Sequence, residues 1–130
     1  MLIRNILEES ARKFDEVKAV KWLKKKEIME RSYGELMENV VSTRKGLLAE
    51  GFEGKHIALI GTSSVEWMES YLGIITGCTT AVPLDAALPC EDLIDLLNRS
   101  DSVALFLSPK LRPYLDAFLE NCPKLQKVWM

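Results

Sequence analysis

Four short apolar runs in the second half of the chain lack the polar alternation of a half-exposed strand. They begin at His56, Thr79, Val103 and Lys127. Unalternated runs are typical of strands that are covered on both faces, as in parallel sheets. The segments between them have helical periodicity and short connections, which favours right-handed β-α-β crossovers. The pattern therefore predicts an α/β fold with one parallel sheet layered with helices, in which Pro83 shortens the second run or places it near an edge.

The first half of the chain predicts two helices around a hairpin. An apolar stripe from Ile3 to Phe14 recurs at helical spacing, and a longer helix is expected from Tyr33 to Ala49, with Gly51 as its stop. Between them, residues 19–24 and 27–32 form extended pieces around a short turn. We expect both helices to pack against the sheet.

The helix after the first buried run has two notable features. Ser63 and Glu66 have the spacing of a capping box, and Gly73 and Gly77 are four residues apart. Its apolar face is expected to consist of Met68, Tyr71, Leu72 and Ile75. Because glycine inside a helix costs up to about 1 kcal/mol relative to alanine, both glycines indicate close approach of another element. Gly77 is expected where the helix ends, either in close backbone contact or at positive φ.

Composition narrows the class of protein. The chain has 130 residues, 48% of them hydrophobic, which suits one α/β domain over residues 1–130. Its net charge of −2 does not suggest a nucleic-acid partner. The basic run Lys24-Lys25-Lys26 is interpreted as a solvated turn. No apolar stretch is long enough for a membrane span, and acidic residues interrupt the start before a signal peptide could form. Cys78, Cys90 and Cys122 form no Cys-x-x-Cys pair, which favours free thiols in the cytoplasm.

Candidate chemistry is sparse, and no catalytic or metal-binding residue is predicted. The segment Gly61-Thr62-Ser63-Ser64 has the position of a phosphate loop but lacks a second glycine and the Gly-Lys-Ser/Thr ending, so N-capping explains its serines better. His56 opens an apolar strand, and it is interpreted as structural. Asp85 and Lys110 each follow a strand, as in response-regulator receiver domains, but the acidic pair of those domains is missing.

The order of several motifs indicates a family. Arg31-Ser32-Tyr33-Gly34-Glu35-Leu36 resembles the first core motif of the AMP-forming acyl- and aryl-CoA synthetases, luciferases and peptide-synthetase adenylation domains. The run from Gly51 to Ile60 resembles the strand that follows, with Lys55 in place of the usual aspartate. Ser64-Val65-Glu66-Trp67 is similar to the next helix start, where Ser63 replaces asparagine. The run from Leu72 to Asp85 resembles the second core motif.

This resemblance covers Asn5 to about Lys110, and the opening from Arg4 to Ala11 looks most like bacterial long-chain fatty-acyl-CoA ligases. It implies a two-step reaction in which ATP and a carboxylate form an acyl-adenylate and pyrophosphate, and CoA then displaces AMP. It also implies Mg²⁺ on the phosphates, a glycine-rich Ser/Thr loop and a lysine on a mobile C-terminal domain. None of these parts matches a position in this chain.

The resemblance implies two further sites as well. Asp85, Ala86 and Ala87 correspond to a region near the CoA entrance of relatives. Trp67 and Tyr71 either border an acyl channel or are core aromatics, and the core interpretation is favoured.

The abrupt end of the last strand predicts that the chain is the incomplete N-terminal portion of the large adenylate-forming domain. The unfinished sheet edge would then expose unpaired backbone groups and favour self-association. The alternative is a free-standing flavodoxin-like α/β module that binds a partner or ligand without catalysis.

Overall fold

The computed structural model describes residues 2–130, and its elements follow the predicted order closely. In the first half these are α1 (Ile3–Lys13), β1 (Lys18–Lys24), β2 (Glu27–Ser32) and α2 (Tyr33–Ala49). The second half contains β3 (His56–Ile60), α3 (Val65–Ile75), β4 (Thr80–Leu84), α4 (Cys90–Arg99), β5 (Ser102–Leu107), a 3-10 helix (Pro109–Tyr114), α5 (Leu115–Asn121) and β6 (Lys127–Trp129).

The predicted parallel sheet is confirmed. Four strands lie in the order β4-β3-β5-β6, and every neighbouring pair is parallel. Pro83 lies in β4, an edge strand, where its missing N–H costs no ladder hydrogen bond on the open side. The hairpin of β1 and β2 forms a separate two-stranded antiparallel sheet, as predicted.

Both faces of the sheet are covered, which explains the unalternated runs. Along β3, Ala58 and Ile60 pack into a cluster with α4 and α5, while Ile57 and Leu59 pack into a second cluster with α2 and α3. All four side chains are at most 1% exposed. Successive residues of a strand point to opposite faces, so a strand between two helical layers needs apolar residues at every position.

The two N-terminal helices differ in how they meet the sheet. Leu47 of α2 belongs to the second cluster, so α2 does pack on the sheet as expected. The expectation is wrong for α1, which lies mainly against α2 and contributes no buried residue. Ile3, Ile6 and Phe14 remain 50–57% exposed, because α1 covers an existing helical layer from outside.

Helix α3 departs from the predicted pattern in its cap and its buried face. Its N-cap is Ser64, whose hydroxyl accepts a hydrogen bond from the Trp67 N–H at 3.0 Å, so the capping box expected from Ser63 is wrong. The most buried positions of α3 are Val65, Glu69, Gly73 and Ile74, rather than the expected Met68, Tyr71, Leu72 and Ile75, which are half-buried. Packing of α3 against both α2 and the sheet rotates the buried face relative to the purely apolar stripe.

The close approach expected at the glycines is confirmed, most clearly at Gly73. A Cβ atom at Gly73 would lie 2.5 Å from both Cβ and Cγ2 of Thr43 on α2. Gly77 follows the end of α3, where an added Cβ would lie 3.1 Å from Cγ of Arg44. Its backbone is outside the left-handed region, so close contact, not positive φ, accounts for that glycine.

Candidate functional site

The adjacent carboxyl ends of β3 and β5 form a topological switch point. The chain leaves β3 into α3 on one face of the sheet and leaves β5 toward α5 on the other. In open α/β sheets, ligands bind in the crevice that this divergence creates. The two strand ends are tied together by a hydrogen bond of 2.9 Å from the Ser108 N–H to the Ile60 carbonyl. Gly61 permits this approach, because a Cβ there would lie 3.2 Å from Cβ of Ser108.

A groove of about 1020 Å³ extends from this switch point along the face that carries α2 and α3. Its walls come from the hairpin, from α2 and from the start of α3, and its floor comes from β5 and β6. The residues that line it include Trp22, Leu23, Lys24, Gly61, Trp67, Phe106, Ser108, Lys110 and Trp129.

The aromatic floor of the groove was not foreseen from the sequence. The rings of Phe106 and Trp129 are stacked with centroids 4.8 Å apart, and Phe52 meets Trp129 edge-on at 6.3 Å. Phe106 and Trp129 are paired across β5 and β6, so they point to the same face. The signal was present as one aromatic near the end of each run, but only strand order makes them neighbours.

The two residues predicted to border a channel, Trp67 and Tyr71, lie side by side, but Trp67 alone of the two lines the groove. Their rings stack at 5.2 Å with an interplanar angle of 11°. Trp67 lines the groove and is held by the Ser64 cap of α3, whereas Tyr71 is not among the lining residues and packs behind it. Both side chains also contact the second core cluster. Trp67 therefore combines a core contact with a surface in the groove.

The loop Asp85-Ala86-Ala87 lies away from the groove. Its Asp85 Oδ1 accepts a hydrogen bond of 2.9 Å from the Ala87 N–H, and Ala86 packs against the first core cluster, on the opposite face of the sheet from Trp67. Lys110 follows β5 and lines the groove, whereas Asp85 follows β4. Strand β3 lies between β4 and β5 in the sheet. The receiver-like pairing of Asp85 with Lys110 is consequently not formed.

A buried carboxylate beside the groove was missed by sequence reasoning. Glu69 on α3 accepts a hydrogen bond of 2.6 Å from Asn39 Nδ2, and its Oε2 lies 3.2 Å from Nε of Arg31. The Arg31 guanidinium also lies 5.3 Å from the Trp22 ring centroid, which joins the hairpin to α3. Burial raises the pKa of Glu69, while Asn39 and Arg31 act in the opposite direction.

The other candidate groups have structural positions. His56 Nδ1 is 2.7 Å from the Ser100 carbonyl oxygen, which identifies that nitrogen as the protonated donor. Within residues 2–130, no three His, Cys, Asp or Glu side chains converge as a metal site. The groove offers an apolar, aromatic floor, with the two lysines Lys24 and Lys110 in its lining, an arrangement suited to binding an apolar group.

One protein family agrees with the order of the motifs, with the parallel sheet and with the groove at the switch point. The family profile described as "AMP-binding enzyme" matches residues 7–129. The chain belongs to this family. Comparison with curated protein sequences finds no significant match.

Solved structures of adenylate-forming ligases share the fold. Coronafacic acid ligase from Pectobacterium brasiliense aligns with a TM-score of 0.90 and 21% identity, over 99% of this chain and 25% of that one. The N-terminal domain of FACL13 from Mycobacterium tuberculosis aligns with a TM-score of 0.87 and 19% identity, over 99% and 33%. An anthranilate CoA ligase in complex with anthranoyl-AMP aligns with a TM-score of 0.84 and 19% identity, over 96% and 24%. This chain therefore spans a quarter to a third of their length.

No helix among residues 2–130 combines the length and the apolar character that crossing a bilayer requires.

Proposed function

We propose that this chain is the N-terminal portion of an ATP-dependent acyl-CoA ligase. The whole enzyme would convert a carboxylate and ATP to an acyl-adenylate and pyrophosphate, then form the CoA thioester and release AMP. The observation that carries the proposal is the family match over residues 7–129. ATP, Mg²⁺ and CoA would be held mainly by parts of the enzyme outside this chain.

A fatty acid is the substrate class we favour. The opening from Arg4 to Ala11 resembles long-chain fatty-acyl-CoA ligases, and the groove has an aromatic floor at Phe106 and Trp129. In this proposal Trp67 borders the acyl channel and Tyr71 holds the Trp67 ring in place by stacking. The exposed loop around Asp85 and Ala87, with Ala86 as its anchor, borders the CoA entrance.

The remaining proposals concern location and assembly. The three free cysteines support a cytoplasmic protein. Among residues 2–130, strand β6 pairs with β5 alone, so its open edge would favour self-association at high concentration.

The test is fatty-acid-dependent exchange of pyrophosphate into ATP by the longer gene product with Mg²⁺. The acid panel should include long-chain, short-chain and aromatic carboxylates, because the structural relatives act on different acids. We expect long-chain acids to give the highest exchange. Exchange with aromatic acids alone would overturn the fatty-acid assignment, and no exchange by a folded full-length protein would overturn the ligase itself.

The role of Trp67 can be tested in the same protein. Trp67→Leu should raise the KM for long-chain acids more than for short-chain acids, because it removes a wall of the proposed channel. Tyr114→Leu is the matched control, since Tyr114 packs on the opposite face of the sheet. Equal changes for both variants and both chain lengths would remove Trp67 from the channel.

A free-standing flavodoxin-like module remains the second candidate function. If β3 to β6 are numbered 1 to 4 by their order along the chain, their order across the sheet is 2-1-3-4. This is the order of flavodoxin-like sheets. The coding sequence beyond Met130 discriminates the two. A glycine-rich Ser/Thr loop ending in Pro-Lys within a few tens of residues supports the ligase, and a stop codon supports the module.

A further inference from the structure

The tip of the hairpin, from Leu23 to Ile28, carries an apolar pair exposed to solvent. Leu23 is 71% exposed and Ile28 is 72% exposed, the highest values among the large hydrophobic side chains of residues 2–130. The two residues are direct partners in the β1–β2 register, so they form one contiguous surface.

Three lysines surround this pair. Lys25 and Lys26 form the two-residue turn with φ of 48° and 69°, and Lys24 pairs with Glu27 in the register. Turns of this geometry favour asparagine and glycine, because left-handed φ angles are unfavourable for residues with longer side chains. The positive charge at the tip is therefore not the usual chemistry of such a turn.

The hairpin is also a local concentration of positive charge. Residues 18–32 contain six lysine or arginine side chains and two glutamates, a formal charge of +4, whereas the whole chain carries −2. Glu30 lies within ion-pair distance of Lys18 and Lys21, and Arg31 is engaged by Glu69. The ion pairs among residues 2–130 include none of the tip lysines Lys24, Lys25 and Lys26. Their charge is available to a partner.

We propose that the hairpin tip docks this protein on an anionic lipid surface. Leu23 and Ile28 would enter the boundary between headgroups and acyl chains, while the lysine ammonium groups remain among the anionic headgroups. The apolar pair and the cations thus both favour a bilayer with negative charge. A second copy is a poorer occupant, because two tips with the same charge repel each other.

The position of the tip connects this surface to the groove. Leu23 and Lys24 line one rim of the groove as well as the tip. Docking would therefore bring the rim to the lipid surface. If the proposed function is correct, that surface is a source of the apolar carboxylate; the lipid interaction itself does not depend on it.

The experiment is sedimentation of this chain with vesicles of phosphatidylcholine, alone or mixed with phosphatidylglycerol. With three lysines at the tip, we expect roughly 10- to 100-fold stronger binding to the anionic vesicles at low salt. Binding should weaken as salt is raised, because the headgroup charges are screened. Equal binding to both vesicle types, or no binding to either, would overturn the proposal.

Paired variants locate the binding surface. Leu23→Gln with Ile28→Gln, and separately Lys25→Gln with Lys26→Gln, should each reduce anionic-vesicle binding about 10-fold or more. The matched controls are Leu48→Gln with Leu119→Gln, at side chains 46% and 54% exposed, and Lys45→Gln with Lys55→Gln. Controls should bind like the parent. Tip variants that bind like the parent would overturn the proposal, as would a concentration-dependent dimer of the parent that only the tip variants abolish.

These measurements use neither ATP nor a carboxylate, so they are independent of ligase activity. A vesicle-binding chain whose longer gene product shows no exchange would contradict only the proposed function. An active ligase whose tip does not bind anionic vesicles would contradict only the lipid surface.

Discussion

At the residue scale, Gly73 marks the tightest contact between α2 and α3. An added Cβ would meet two atoms of Thr43 at 2.5 Å, with the Val40 carbonyl oxygen at 3.2 Å. Thr43 is β-branched and Val40 contributes backbone, so neither yields easily. We expect Gly73→Ala to lower the free energy of unfolding by about 1–3 kcal/mol, as overpacking usually does. Urea denaturation measures this difference.

Two other glycines provide the comparison. Gly46→Ala on α2 should raise the free energy of unfolding by about 0.5–1 kcal/mol, because no atom of residues 2–130 outside its own helix turn lies within 4 Å of its added Cβ. Gly77→Val should cost about 1–3 kcal/mol, and Gly77→Ala less than Gly73→Ala, since its neighbour is the flexible stem of Arg44. Equal unfolding midpoints for Gly73→Ala and Gly46→Ala would refute the packing argument.

Glu69 predicts a specific pH dependence of stability. Its pKa is raised in the folded state, mainly by burial, so the folded protein holds this proton more tightly than the unfolded chain. The stabilising contribution is therefore complete below the ordinary value of 4.5 and decreases as the pH rises through the raised pKa. We expect the stability of the parent relative to Glu69→Gln to fall with increasing pH above 4.5.

Urea denaturation of both proteins at several pH values checks this sign. Glu66→Gln is a suitable control for the loss of a negative charge on α3. Glu66 is exposed, and its charge contributes less than burial to the raised pKa of Glu69. A parent that gains stability over Glu69→Gln as the pH rises would mean that the ion pair with Arg31 outweighs burial.

At the scale of the element, α2 begins with a complete capping box. The Ser32 hydroxyl accepts from the Glu35 N–H at 3.1 Å, and the Glu35 carboxylate accepts from the Ser32 N–H at 3.1 Å. Ser32→Ala should lower the free energy of unfolding by about 1 kcal/mol, because one N–H of the first turn loses its partner. Ser42→Ala, at an exposed position within the same helix, should leave stability unchanged or slightly higher. The cap has no such role if both variants melt at the parent temperature.

At the scale of the whole molecule, the 130-residue chain should have no adenylation activity of its own. Adenylation brings two anions together and needs donors and a metal fixed around the developing charge. Within residues 2–130 the groove presents two lysines, Lys24 and Lys110, and no cluster of carboxylates that could hold a metal. We expect ATP–pyrophosphate exchange from the longer gene product only, with far-UV circular dichroism confirming that the short chain is folded. Fatty-acid-dependent exchange by the short chain would contradict this expectation.

Local pattern was sufficient for most of the secondary structure. The four unalternated runs identified β3 to β6, and helical spacing with Gly51 as a stop identified α2, because these signals depend on residues close in sequence. The order of motifs identified the family for the same reason.

Tertiary structure decided the order of the strands, the faces on which helices pack and the neighbours of each side chain. Periodicity did not show that α1 would lie outside the main layers, that Glu69 would be buried against Arg31, or that Phe106 and Trp129 would form the floor of a groove. It also could not separate Trp67 from the loop at Asp85, which lie on opposite faces of the sheet. Each of these depends on contacts between segments distant in sequence, whose arrangement is set by packing of the whole chain.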